Sequence, residues 1–86
     1  MNINDLTIIV KKKIEKDIKL EHIKIEDKTF LHKDHKSHDL KKFHLKLTIK
    51  SVELKKMNKI DSTRKIYSIL DEELNKHIHS IQILIC

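Results

Sequence analysis

The chain has neither glycine nor proline at any of its 86 positions. Phosphate-cradling loops need a backbone that approaches the anion with no side chain in the way. A Walker loop, a dinucleotide G-x-G-x-x-G turn and a GXXG nucleic-acid clamp are therefore all excluded. The length permits one small domain, because a chain this short buries only about 60 to 65% of its unfolded surface and cannot build two cores. The single cysteine, Cys86, rules out an intramolecular disulfide and a zinc-finger-like thiolate cluster, which fits a reducing compartment. Lysines follow the apolar Ile8, Ile9 and Val10, the reverse of a secretory signal. No apolar run nears the roughly 20 residues that span a bilayer. A soluble, unprocessed, cytoplasmic protein without membrane contact is expected.

Of the 19 basic residues all but one are lysine, and with 13 acidic residues the formal charge is +6. That balance suits an anionic partner. It equally suits the lysine and isoleucine usage of an AT-rich genome, since the acidic residues are interspersed.

Apolar spacing predicts the elements. Leu6, Ile9, Val10, Ile14 and Ile18 recur at three and four residues, an amphipathic helix over 5–18 that Asn4 or Asp5 can cap. Ile23 and Ile25 alternate in a short strand over 22–26. Phe43, Leu45, Leu47 and Ile49 alternate with His44, Lys46, Thr48 and Lys50 in a second, half-buried strand with one wet face. An irregular segment over 52–60 leads into a second helix from Asp61 or Ser62, with Ile66, Ile69, Leu70 and Leu74 as its apolar stripe. Glu72 and Glu73 fall late in that helix, where the dipole disfavours them. In the last strand, over 78–85, alternation puts His79 on one face with Ile81, Ile83 and Ile85. The order helix, strand, strand, helix, strand predicts a small α+β domain over residues 1–86. Its sheet has three strands with helices on one face, and the last strand arrives by a helical crossover that lets it pair in parallel. Between the first two strands, residues 28–42 form a polar stretch carrying His32, His35 and His38. It is long for a hairpin loop and has no glycine to tighten it.

Five segments in this order resemble the BolA-like family. E-H-I-K-I-E-D from Glu21 to Asp27 is similar to its H-V-x-V-x-D strand, and F-L-H-K-D-H from Phe30 to His35 falls where many members carry a loop H-x-x-H. H-L-K-L-T-I-K-S from His44 to Ser51 is similar to H-F-K-V-x-I-V-S. R-K-I-Y-S-I-L-D-E-E-L from Arg64 to Leu74 is similar to R-x-x-Y-x-x-L-x-E-E-L, and I-H-S-I from Ile78 to Ile81 is similar to I-H-A-L. The resemblance implies a class II KH-like fold. It also implies a heterodimer with a monothiol glutaredoxin that shares a 2Fe-2S cluster with that protein and glutathione, the free chain being a monomer. In that picture the ligands from this chain are His79 and a loop histidine, His32 first and His35 second. Some bacterial members are also described as transcriptional regulators. The chain departs from the family in having Ser62-Thr63-Arg64 for R-H-R and Leu54-Lys55-Lys56 for the F-x-G turn. The first departure weakens the DNA-binding reading.

Without the resemblance, His79 is one polar residue on an isoleucine-rich strand, where a histidine is more often structural or merely exposed than a ligand. Imidazole nonetheless suits iron or zinc at neutral pH. His77 could join its face if the strand extends back, but reads better as a cation at a helix end. The loop histidines suit a metal trap or a solvated stretch. His44, on the wet strand face, is open to either reading. For the alternative function, DNA binding, the basic candidates are Arg64, Lys65, Lys55, Lys56 and Lys59. Lysines attract phosphate without the bidentate guanine reading of arginine, so contact should be weakly specific and salt-sensitive. No nucleophile with a matched histidine and carboxylate emerges, so an enzyme is not expected.

Overall fold

The computed structural model describes residues 2–29 and 42–86. Helix α1 (Ile3–Asp17) forms because Leu6, Val10 and Ile14 stack on one face and are fully buried there. Its cap is Asn2, two residues ahead of the expected Asn4: the Asn2 side chain accepts the Asp5 N–H at 2.8 Å. Strand β1 (His22–Asp27) pairs antiparallel with β2 (Phe43–Lys50), placing Ile23 opposite Ile49 and Ile25 opposite Leu47. Strand β3 (Ile78–Ile85) pairs parallel with β2, as the helical crossover allows; the sheet order is β1-β2-β3 and the sheet is mixed.

Between β2 and β3 the chain builds three helices. The segment expected to be irregular begins with α2 (Val52–Lys55), capped by Ser51, and continues into α3 (Lys59–Ile69), capped by Asn58. Asn58 accepts the Asp61 N–H at 2.8 Å, so α3 starts two residues before Asp61. At Leu70 the backbone leaves helical geometry (φ −99°, ψ 17°), and α4 (Asp71–Lys76) follows. The expected single helix is therefore two. Leu70 remains in the apolar stripe, fully buried, so the interruption does not show in the periodicity. Glu72 and Glu73 consequently lie in the first turn of α4, where the dipole favours acids; the expected late, disfavoured position is wrong.

Leu45, Leu47 and Ile49 from β2 meet Leu6, Val10, Ile14 and Ile18 from the α1 region and Leu54, Ile66 and Leu70 from the crossover helices. Full burial of each such side chain contributes about 1.5 to 3 kcal/mol. Glu73 joins this packing from α4 with a side chain only 6% exposed, its carboxylate held by Lys13 of α1 at 2.7 Å. Lys13 also lies 3.6 Å from Glu72. The hydrogen bond to Glu73, with the charges of both acids, raises the Lys13 ammonium above its ordinary pKa. No described residue has positive φ, in keeping with a glycine-free chain. Among the described residues no helix is long and apolar enough to cross a membrane.

Candidate functional site

A β-bulge places the leading site residue. Phe43 pairs with Ile78, but His44 pairs with Ser80, leaving His79 as the extra residue on β3. Ile78 is buried in the core before the bulge, and Ile81 lies opposite the buried Leu45 after it. Both point toward the helices, so His79 and Ser80 together occupy the opposite face. The expectation that His79 shares a face with Ile81, Ile83 and Ile85 is therefore corrected, because alternation skips a beat at the bulge.

On this open face His79 meets His44. The imidazole centroids are 4.9 Å apart with planes tilted by 50°. His79 is exposed, and its ring has no hydrogen-bond partner among the described residues. His44 is only 7% exposed although it belongs to the strand face expected to be wet. Its Nδ1 lies 2.6 Å from Ser80 Oγ, a contact that fixes the ring plane whichever atom carries the proton. Its backbone is held from β1's end, where the Lys28 N–H donates to the His44 carbonyl at 2.7 Å and the His44 N–H to Thr29 Oγ1 at 3.2 Å. Thr29 is itself fixed by Asp27, whose carboxylate accepts from its N–H at 3.0 Å and from its hydroxyl.

A recess of ≈ 250 Å³ opens beside this pair, lined by Lys28, Lys46 and Gln82 as well as His44 and Ser80. Lys28 lies 3.8 Å from Glu26, which pairs more closely with Lys24 at 3.0 Å. That Lys24 hydrogen bond is the main reason the Glu26 carboxyl titrates below its ordinary range. Lys28 and Lys46 thus place two ammonium groups on the rim of the recess beside His44, with Glu26 offsetting part of the Lys28 charge.

The other expected ligands divide. His32 and His35, with His38, lie outside the described residues. His77 caps the C-terminus of α4, and its carbonyl accepts the Phe43 N–H at 2.9 Å, so it stands at a helix end and not in the strand. Cys86 is an exposed free thiol. No group of three or more His, Cys, Asp or Glu that could hold a metal occurs among the described residues. The His44–Ser80 contact was not legible from sequence, since it needs the β2–β3 register. The only signal was a histidine on the polar face of β2.

The basic candidates are split as well. Lys55, Lys56, Lys59 and Arg64 are exposed, whereas Lys65 is paired with Glu53 at 3.1 Å. Asp61 adds a negative charge in the first turn of α3.

A small α+β domain with a three-stranded mixed sheet, helices on one face and paired histidines on the other is the class defined by this geometry. The family model for BolA-like proteins matches residues 14–85, and the chain belongs to that family. A DNA-binding transcriptional regulator BolA from Haemophilus influenzae is 32% identical over 73 residues, covering 85% of this chain and 68% of the relative. Among solved structures, the BolA domain of SufE1 from Arabidopsis thaliana superposes with a TM-score of 0.76 at 24% identity, covering 99% of this chain and 92% of that one. BolA1 from Arabidopsis thaliana gives a TM-score of 0.72 at 25% identity, covering 88% and 84%.

Proposed function

We propose that this chain is an adaptor, not an enzyme, that pairs one-to-one with a monothiol glutaredoxin and co-ligates a 2Fe-2S cluster with it and glutathione. His79 supplies one nitrogen, and a loop histidine, His32 first and His35 second, supplies another. The observation that carries the reading is the bulge that turns His79 out of the core onto an exposed face beside His44. The donor set fits a shared group. Among the described residues no group of three or more donors encloses a resident metal, and the exposed His79 imidazole suits a group whose remaining ligands come from elsewhere.

Such a cluster, when held, supplies a one-electron redox centre and a transferable iron-sulfur unit. The chain's own residues bind and orient. His79 presents a ring nitrogen, Ser80 fixes the His44 ring beside it, and the Lys28 and Lys46 ammonium groups attract the negative charge of thiolate ligands and glutathione carboxylates. The test is assembly. Mixed with a monothiol glutaredoxin, glutathione and reconstituted cluster, the colourless protein should elute as a coloured one-to-one heterodimer. Separate elution of a colourless chain overturns the reading.

A second reading, a DNA-binding regulator, is favoured by the name of the Haemophilus influenzae relative and by the exposed Lys55, Lys56, Lys59 and Arg64. The Glu53–Lys65 pair and Asp61 reduce that surface's net charge. A gel-shift series over salt separates the cases, because a regulator keeps a sequence preference while bare phosphate attraction only fades.

A further inference from the structure

The two edges of the sheet differ in a way that the histidine site does not explain. Edge strands expose unpaired backbone groups, and proteins protect them with charge, proline or cover. Strand β1 follows that rule: Lys24, Glu26 and Asp27 occupy half of its six residues, with Lys24 and Glu26 paired at 3.0 Å. Strand β3 breaks it. From Ile78 to Cys86 there is no Asp, Glu, Lys, Arg or Pro, in a chain of which 37% of residues are charged.

The Cys86 N–H donates inward to the Ile49 carbonyl at 2.8 Å. Backbone groups alternate along a parallel ladder, so those of Ile81, Ile83 and Ile85 point outward from the sheet. No hydrogen bond outside the ladders engages them among the described residues. A groove of ≈ 300 Å³ runs against this edge: Ile83, Leu84 and Ile85 all line it although they alternate faces, so it follows the strand's free side. Its other wall brings Leu54 and Met57 as apolar lining and Lys55 and Lys59 as charged lining. Neither lysine belongs to any ion pair among the described residues.

We propose that the free edge of β3 and this groove receive an extended peptide segment of a partner protein by strand addition. The segment is apolar at alternate positions and acidic where it passes Lys55 and Lys59. Outward N–H and C=O groups supply main-chain hydrogen bonds, and the Leu54, Met57, Ile83 and Ile85 surface takes the alternate side chains. Charge selects the occupant. A second copy of this +6 chain would bring further lysines to a lysine rim, whereas an acidic strand neutralises it. Nucleic acid would also meet the lysines, but it makes no use of a strand edge, and among the described residues the groove has no aromatic ring for a base to stack on.

The test uses the isotopically labelled full chain and an N-acetylated peptide, Glu-Val-Thr-Val-Thr-Val-Glu, with three controls. The controls are the same peptide with a central proline, one flanked by lysine in place of glutamate, and a single-stranded oligothymidine. Amide exchange at Ile83 and Ile85 should slow about 10-fold or more with the acidic peptide at saturation and stay unchanged with the proline peptide. The Lys55→Glu, Lys59→Glu double variant, altered only at exposed positions, should weaken the acidic peptide about 3- to 10-fold and favour the lysine peptide. Unchanged exchange at Ile83 and Ile85 overturns the proposal. So does protection by oligothymidine but not by peptide, or protection that grows with protein concentration alone.

Discussion

Replacing Ser51 by alanine should cost far more than removing one exposed hydroxyl. Ser51 stands where β2 hands the chain to the crossover helices, and it is only 1% exposed. Its Oγ accepts the Leu54 N–H at 3.3 Å as the N-cap of α2, and donates to the Lys19 carbonyl at 2.8 Å in the connection between α1 and β1. The cap bond is long, so its loss contributes about 0.5 to 1 kcal/mol, the low end for caps. The Lys19 carbonyl loses a well-made bond in a partly buried place, contributing about 1 to 1.5 kcal/mol. Together the loss is about 2 kcal/mol, a large share of the roughly 5 to 10 kcal/mol expected for a domain of this size. At about 4 to 8 °C per kcal/mol, the melting temperature should fall by about 8 to 16 °C. Urea unfolding followed by circular dichroism should show a lower midpoint with an unchanged slope, whereas Ser68→Ala, at an exposed position of α3, should stay within about 0.5 kcal/mol of the parent. A Ser51→Ala loss within that same margin would refute the view that this hydroxyl clamps the two chain crossings.

Other outcomes follow from the same structure. Ser80→Ala removes the 2.6 Å contact to His44 Nδ1, so the His44 ring nitrogen shifts should move in nitrogen-15 spectra while the unfolding free energy changes by about 1 kcal/mol or less; unmoved shifts contradict the contact. Lys13→Met should destabilise by about 1 kcal/mol or more and the added change Glu73→Met should recover part of it, because the single variant strands a buried carboxylate. A double variant less stable than Lys13→Met would contradict that assignment. The pH dependence of stability has a definite sign. Glu72, lowered chiefly by its Lys76 hydrogen bond, and Glu26, lowered chiefly by Lys24, contribute above the ordinary carboxylate value of 4.5 and lose that contribution as pH falls through their lower folded values. Lys13, raised by Glu73, contributes below 10.5 and loses it as pH climbs through its higher folded value. Melting curves of Lys13→Met and the parent should therefore converge at strongly alkaline pH, and a constant gap would contradict the linkage.

Strands were the most legible part of this chain. Phe43, Leu45, Leu47 and Ile49 alternate without interruption, and their pairing with Ile23 and Ile25 follows from which faces must be buried together. What escaped were places where one residue breaks a period without changing its chemistry. Leu70 ends α3 while remaining in the apolar stripe, so periodicity alone puts Glu72 and Glu73 late in one helix and not in the first turn of the next. His79 is the bulge, and extending the Ile81, Ile83, Ile85 alternation back to it put it on the core face. With no glycine or proline to punctuate the chain, neither break carries a local mark. The caps Asn2 and Asn58 were missed because the apolar stripes begin a turn further on. The BolA-like motifs point to His79 on β3, but only the β2–β3 register brings His44 and Ser80 beside it.

The central claim is that His79 supplies a ligand to a cluster shared with a glutaredoxin. The most direct test compares the parent and His79→Ala as each is titrated into a glutaredoxin carrying its glutathione-bound 2Fe-2S cluster, following visible circular dichroism. His79 is exposed and outside the core, so the variant keeps its fold, which far-UV spectra verify. The parent should change the cluster's spectrum to an endpoint at one equivalent, and His79→Ala should leave it without that change. A His79→Ala titration that reaches the parent's endpoint with the parent's spectrum would contradict the claim.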